Sequence, residues 1–399
     1  MRFPLNNVVT YLKTNNKKMF EGLIWFHSPG HMVLEGDYIS RVIKSNLTGL
    51  ERPLLFIEEK APAIFFKNAL EYNNIPAEVI ITPNAYKIQR EIAVFYPELT
   101  IEGGVWSFKI PSNRKPRGEN DLNFLYTRDY DDFLSFSRRA YRLRDSVPDI
   151  NIYKNYFENK VLSETKNQEL IEILSGKTFA VIQVKGVASN AVGALQTEGF
   201  YRKVLAYLRD LSLTPIIIGR DSPPAYFSEY NAIDYTRSKF VSYESDWILI
   251  GMSTIGLVHG SGLHNIFDIL GKAYIFHDSW HHWPTKSQSC LFVPSFIQKG
   301  NSSSFLKFRE FAQLARVGWD DARGAFVFPA HLDYRAHPSN PEYVISAISE
   351  LMGRHSGDLE LERLRIKSLI RTIDTDDFWT LTGTSMPVDF LKIIPDYFE

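Results

Sequence analysis

Twice along this chain, short apolar runs of strand length alternate with segments of helical period, and that alternation leaves few architectures open. In the first series the runs lie at 22–27, 54–57 and 77–81, with helical patterns at 31–43, 61–72 and 87–95. In the second series the runs lie at 178–184, 215–219, 232–235, 255–259 and 273–277. Helical patterns at 198–211, at 246–252 and from residue 263 onward fall between them. A parallel strand pair needs a long crossover, and a helix is the usual one. Each series therefore predicts a parallel sheet covered by helices. With 399 residues the chain suits two domains of roughly 150–200 residues. We place the first over 1–165 and the second over 166–360, and expect 361–399 to form a helical segment packed back on the first. Further helices are predicted at 133–143, 168–174, 306–316 and 342–352, and a polar loop at 112–123.

Bulk composition removes several function classes. The formal net charge is −1, so no basic field points to a nucleic-acid partner. The 28 Phe and 20 Tyr are scattered, which suits core and cleft filling rather than a base-stacking platform. One cysteine, Cys290, excludes an internal disulfide framework and a cysteine-rich zinc site. It fits a reducing cytoplasm. No run of about 18 apolar residues occurs, and the polar start lacks a leader-like stretch, so a cytoplasmic chain is expected. Arg138, Arg139, Arg142 and Arg144 read as a solvated helix face. The alternative is a patch facing an anionic acceptor or the inner face of a membrane, a peripheral contact.

The residues richest in chemistry lie at and after the end of the strand at 255–259. His259-Gly260-Ser261-Gly262-Leu263-His264-Asn265 turns sharply into a helical pattern. Gly260 and Gly262 permit the turn and a close ligand approach. Amides at the start of the helix would be unpaired and would favour a phosphate. We assign Ser261, Gly262 and Leu263 to phosphate, with Lys185 supplying charge; a plain tight turn is the alternative. His259 either meets the donor or packs under the turn, and Asn265 either bonds the ligand or steadies the helix. Tyr235, Phe240, Val241 and Ser242 follow a middle strand, where base recognition would fall. His31 starts a helix after a Pro-Gly break, and histidine's ordinary pKa near neutrality suits a general base. Glu35 lies one turn on and either orients the imidazole or acts as base itself. His277, Asp278, His281 and His282 form a group without helical metal-ligand spacing; we read a loop over a cleft, with a metal site as the alternative. No Asp-x-Asp stands at a strand end in the setting of a metal-dependent transferase. No metal or other cofactor is expected.

Several segments together resemble a family of bacterial glycosyltransferases of GT-B type associated with surface-polysaccharide loci. They are 30–35, 233–235 with 245–247, the His-Gly-Ser-Gly-Leu turn with 291–294, and 384–391. The resemblance runs nearly end to end. It implies an α/β, GT-B type fold of two facing Rossmann-like domains with an interdomain cleft. It implies transfer of a sugar from a nucleotide-sugar donor to a glycan or lipid-linked glycan acceptor of the cell surface, without a metal. A general base on the first domain would serve direct displacement, so inversion is expected. Lys185 departs from the pattern, since such proteins often carry arginine there; lysine offers a point charge rather than a fork. His337-Pro338 is similar to a dipeptide of bacterial sialyltransferases. A sugar-nucleotide epimerase, a pyruvyl transferase and an inactive nucleotide-sugar binding module remain as alternatives.

Overall fold

The structure is a computed structural model. It describes residues 5–23, 28–45, 52–104, 130–184, 197–219, 221–259, 262–280, 289–320, 325–326, 328–353, 385–393 and isolated positions at 364, 368 and 370. The chain divides into two compact units, Met1–Lys160 with Trp319–Val327, and Val161–Gly318 with Phe328–Glu399. Among the described residues no helix is long and apolar enough to cross a membrane. Both units are α/β, each built on a wholly parallel main sheet, as the alternation predicts.

The first unit starts with helix α1 (Leu5–Thr14), then β1 (Met19–Glu21), α2 (Pro29–Lys44), β2 (Leu54–Ile57) and α3 (Ala61–Tyr72). It continues with β3 (Glu78–Ile81), α4 (Ala85–Phe95), β4 (Thr100–Glu102), α5 (Tyr130–Ser146) and α6 (Ile152–Asn159). The sheet order is β3-β2-β1-β4. One side of it packs on Val8, Val9 and Leu12 of α1 and on Ala85, Ile88 and Ile92 of α4. In α4 these positions recur at the helical period and form a single stripe. The first strand departs from the sequence reading. It spans Met19–Glu21 and ends before 22–27, because Gly22 takes φ 84°, outside the β region. Residues 24–27 lie outside the described set.

The second unit holds α7 (Thr165–Leu174), β5 (Phe179–Gln183), α8 (Glu198–Asp210), β6 (Thr214–Ile218), β7 (Ile233–Asp234) and α9 (Tyr243–Met252). Next come β8 (Ile255–Val258), α10 (His264–Leu270), β9 (Tyr274–Ser279) and β10 (Cys290–Pro294). Its order, β7-β6-β5-β8-β9-β10, is 3-2-1-4-5-6 when counted within the unit. That is the order of the doubly wound dinucleotide-binding fold, and it reverses between β5 and β8. Beyond it, β11 (Phe296–Lys299) pairs antiparallel with β14 (Tyr334–His337), and α11 (Phe308–Val317) and α12 (Pro341–Leu351) follow the chain. Between them, β12 (Trp319–Asp320) and β13 (Ala325–Phe326) form a small antiparallel pair counted with the first unit.

The C-terminal segment also departs from expectation. Where the sequence reading packs 361–399 on the first domain, the described residues 385–393 dock on the second unit. Ser385 bridges Leu291 in parallel and accepts the Phe292 N–H at 2.8 Å. Phe390 stacks on Phe296 and meets Tyr343 edge-on, and the Val388 N–H donates to Glu350 at 2.9 Å. The apolar residues Met386, Val388 and Phe390 are buried by this contact. It extends β10, the last strand of the main sheet.

Candidate functional site

Ligands of open α/β sheets bind outside the carboxyl ends of the strands, where the strand order reverses. In the second unit that point lies between β5 and β8. Gln183 ends β5, and its Oε1 accepts the His259 N–H at 3.3 Å. His259 follows β8 with its side chain fully buried, directly before Gly260 in the sequence. Its ring lies 4.3 Å from that of His277, near the end of β9. His277 Nδ1 bonds Asp278 Oδ2 at 2.8 Å, and Asp278 Oδ1 accepts the Ser339 N–H at 2.8 Å. The Tyr201 hydroxyl sits 3.4 Å from His259 Nε2. Burial and the nearby Asp278 push its phenol well above the usual range.

Asp278 owes its position to a bulge. Along β9 and β10, His277 pairs with Val293 and Ser279 with Pro294, so Asp278 is the extra residue. It takes φ 52°, a left-handed conformation costly for a residue with a side chain. Bulges of this kind re-aim side chains beside functional sites. The sequence grouping of His277 with His281 and His282 misses His259, which is remote in sequence. Histidines near the ends of two consecutive parallel strands were the available signal.

Of the residues assigned to the donor, Lys185, Gly260 and Ser261 lie outside the described set. Gly262 and Leu263 are partly exposed, whereas Asn265 is buried and its N–H donates to the Gly262 carbonyl at 3.3 Å. Helix α10 has only seven residues, so any anion here depends on turn amides more than on a macrodipole. Tyr235 and Ser242 come together. The Tyr235 hydroxyl donates to the Phe240 carbonyl at 3.1 Å and accepts the Ser242 N–H at 3.2 Å. Ser242 caps α9 by accepting the Ser245 N–H at 3.1 Å. Tyr235 is buried and braces this loop, while Ser242 and Val241 are exposed. Beside them, burial pushes the Asp246 carboxyl up to about 7.

The first unit has its own reversal, between β1 and β4, and His31 and Glu35 belong to it. Glu35 is fully buried, and its Oε1 lies 3.2 Å from His31 Nδ1. A Cβ on Gly104, just past β4, would fall 2.4 Å from the Gly22 carbonyl and 3.3 Å from Glu35 Cδ. The two strand exits thus close up beside the carboxyl, a proximity that needs glycine and that the sequence reading missed. Helix α2 is pinned from several sides. The Tyr153 hydroxyl donates to the Met32 carbonyl at 2.7 Å. Asp37 accepts Arg41 through both oxygens at 3.1 Å and Arg144 at 3.0 Å. The arginine cluster is accordingly no uniform solvated face: Arg144 turns inward to Asp37, and Arg139 pairs with Glu102.

No protein-family model matches the chain, and no curated protein matches it in sequence. Among solved structures, it is similar to the dodecameric iron-containing heptosyltransferase TibC in complex with ADP-D-beta-D-heptose. That likeness has 13% identity over 76% of each chain and a TM-score of 0.35. It is similar to E. coli heptosyltransferase WaaC with ADP at 11% identity, over 70% of this chain and 90% of that one, with a TM-score of 0.35. It is also similar to the wall teichoic acid polymerase TagF at 12% identity, over 69% and 80%, with a TM-score of 0.29.

Proposed function

We propose that this chain is a GT-B glycosyltransferase that moves a sugar from a nucleotide-sugar donor to a cell-surface glycan or its lipid-linked precursor. The observation that carries the reading is the 3-2-1-4-5-6 sheet, with the sequence His259-Gly260-Ser261-Gly262-Leu263 following β8 at its point of reversal. A diphosphate leaving group is held there by turn amides, the Ser261 hydroxyl and Lys185, with no metal on the diphosphate itself. Ser242 and its neighbours lie beyond β7 for the base.

The His31–Glu35 pair of the first unit supplies the base. Glu35 accepts the Nδ1–H, which leaves Nε2 to take the proton of an acceptor hydroxyl. The buried carboxylate then offsets the imidazolium that forms. A base acting directly on the acceptor suits single displacement, hence inversion.

The test is turnover of a panel of labelled nucleotide sugars by the whole chain, followed as sugar release and as transfer to glycan acceptors. His31→Ala and Glu35→Gln should each lower transfer by about 10²–10⁴-fold while leaving nucleotide affinity unchanged. Equal turnover by wild type and both variants would remove the pair from the chemistry.

A further inference from the structure

At the exits of β8 and β9, two imidazoles and a carboxylate converge in the interior of the second unit. His259, His277 and Asp278 are all buried, and each offers a donor atom within 4.8 Å of the others. We infer that they form a binding site for a divalent transition-metal ion of the zinc class. Imidazole nitrogens with one carboxylate suit zinc, cobalt or ferrous iron, and suit magnesium or calcium poorly.

Two further observations support an ion over a simple hydrogen-bonded pair. His277 is fully buried, and its Nε2 meets no partner among the described residues. A buried polar atom in this state is costly unless something fills the position. Asp278 is held in a left-handed bulge that turns its carboxylate back toward the imidazoles. An Asp–His pair sharing one proton would account for Asp278 and His277. It gives no reason for a second imidazole whose ring centre lies 4.3 Å away. A tetrahedral ion with bonds of about 2.1 Å spaces its ligands about 3.4 Å apart, so the cluster readjusts slightly, the 2.8 Å contact between His277 and Asp278 opening as the wider spacings close. Ser339 on Asp278 and Tyr201 beside His259 are the outer contacts that orient such ligands. The ion ties the exit of β8 to β9 and so fixes where the chain leaves β8. It is separate from the proposed diphosphate, and the inference stands or falls independently of sugar transfer.

The test uses the full chain, stripped with chelator and reloaded with Zn²⁺ or Co²⁺. Metal content after gel filtration is read by mass spectrometry, and Co²⁺ ligation by its visible absorption. The site predicts close to one ion per chain, a cobalt spectrum typical of nitrogen ligation, and a raised unfolding temperature. His277→Gln and His259→Gln should abolish stoichiometric binding, and Asp278→Asn should weaken it by about 10–100-fold. His331→Ala, on the exposed surface, should leave it intact. Should a glutamine variant fail to fold, the wild-type cobalt spectrum still decides. Absence of bound metal in the wild type, or full retention in folded His277→Gln, overturns the inference and leaves a proton as the occupant.

Discussion

Replacing Gly36 by alanine tests whether α2 is held in place by Tyr153. A Cβ at Gly36 would lie 1.9 Å from the Tyr153 hydroxyl oxygen and 2.9 Å from two ring carbons of Phe66. Tyr153 is fully buried, packs near Phe65 and Phe66, and donates its hydroxyl to the Met32 carbonyl. The added methyl must therefore displace a buried ring or shift α2. Overpacking of a tight core costs about 1–3 kcal/mol, and displacing the hydroxyl adds a lost buried hydrogen bond of about 1 kcal/mol. Gly36→Ala should therefore destabilise the chain by about 2–4 kcal/mol in urea unfolding. Tyr153→Phe removes the oxygen that clashes and should alone cost about 1–2 kcal/mol. The double variant should then be less destabilised than the sum of the two, by about 1–2 kcal/mol, with Phe66 keeping some strain. Strict additivity would show that the hydroxyl and the new methyl do not compete for one space, and the account of how α2 is anchored would fail.

Asp37→Asn leaves Arg41 and Arg144 without their shared carboxylate and should cost about 3–5 kcal/mol, read from the urea midpoint. Gly256→Ala places a methyl 2.3 Å from the Phe267 ring, inside the sheet core, and should cost about 1–3 kcal/mol by the same assay. Asp246 predicts a pH dependence. Its folded value is raised to about 7, so its contribution to stability is full below about pH 4 and is lost as pH climbs through about 7. Between pH 5 and pH 8 the loss is on the order of 2 kcal/mol, and Asp246→Asn should abolish it; an unchanged slope in the variant would refute the assignment.

How far the sequence reveals this molecule depends on whether a feature is local. The two β-α series are legible because strands such as Leu54–Ile57 are short, apolar and bounded by polar turns. The end of β8 at Val258 is legible because glycine, serine and glycine follow the apolar run closely. The pairing of His31 with Glu35 follows from helical spacing alone. Other features depend on tertiary neighbours. The left-handed bulge at Asp278 arises from a register shift against β10. Gly22 and Gly104 meet only because β1 and β4 are adjacent. His259 and His277 come from different strands, so spacing along the chain cannot show them as partners. Arg144 looks like surface charge until Asp37 is seen on the facing helix. The docking of Phe390 on Phe296 and Tyr343 likewise depends on an apolar face that no local pattern announces.

The central claim, that the segment after β8 receives a nucleoside diphosphate, is tested most directly by calorimetric titration of UDP, GDP, ADP and dTDP. The reading predicts saturable binding of one of them to the wild-type chain. It also predicts affinity reduced at least tenfold when Ser261 is replaced by tryptophan, with the fold retained. If none binds at millimolar concentration, or if the tryptophan variant binds as tightly as the wild type, the segment is not a phosphate site and the proposed transfer loses its donor.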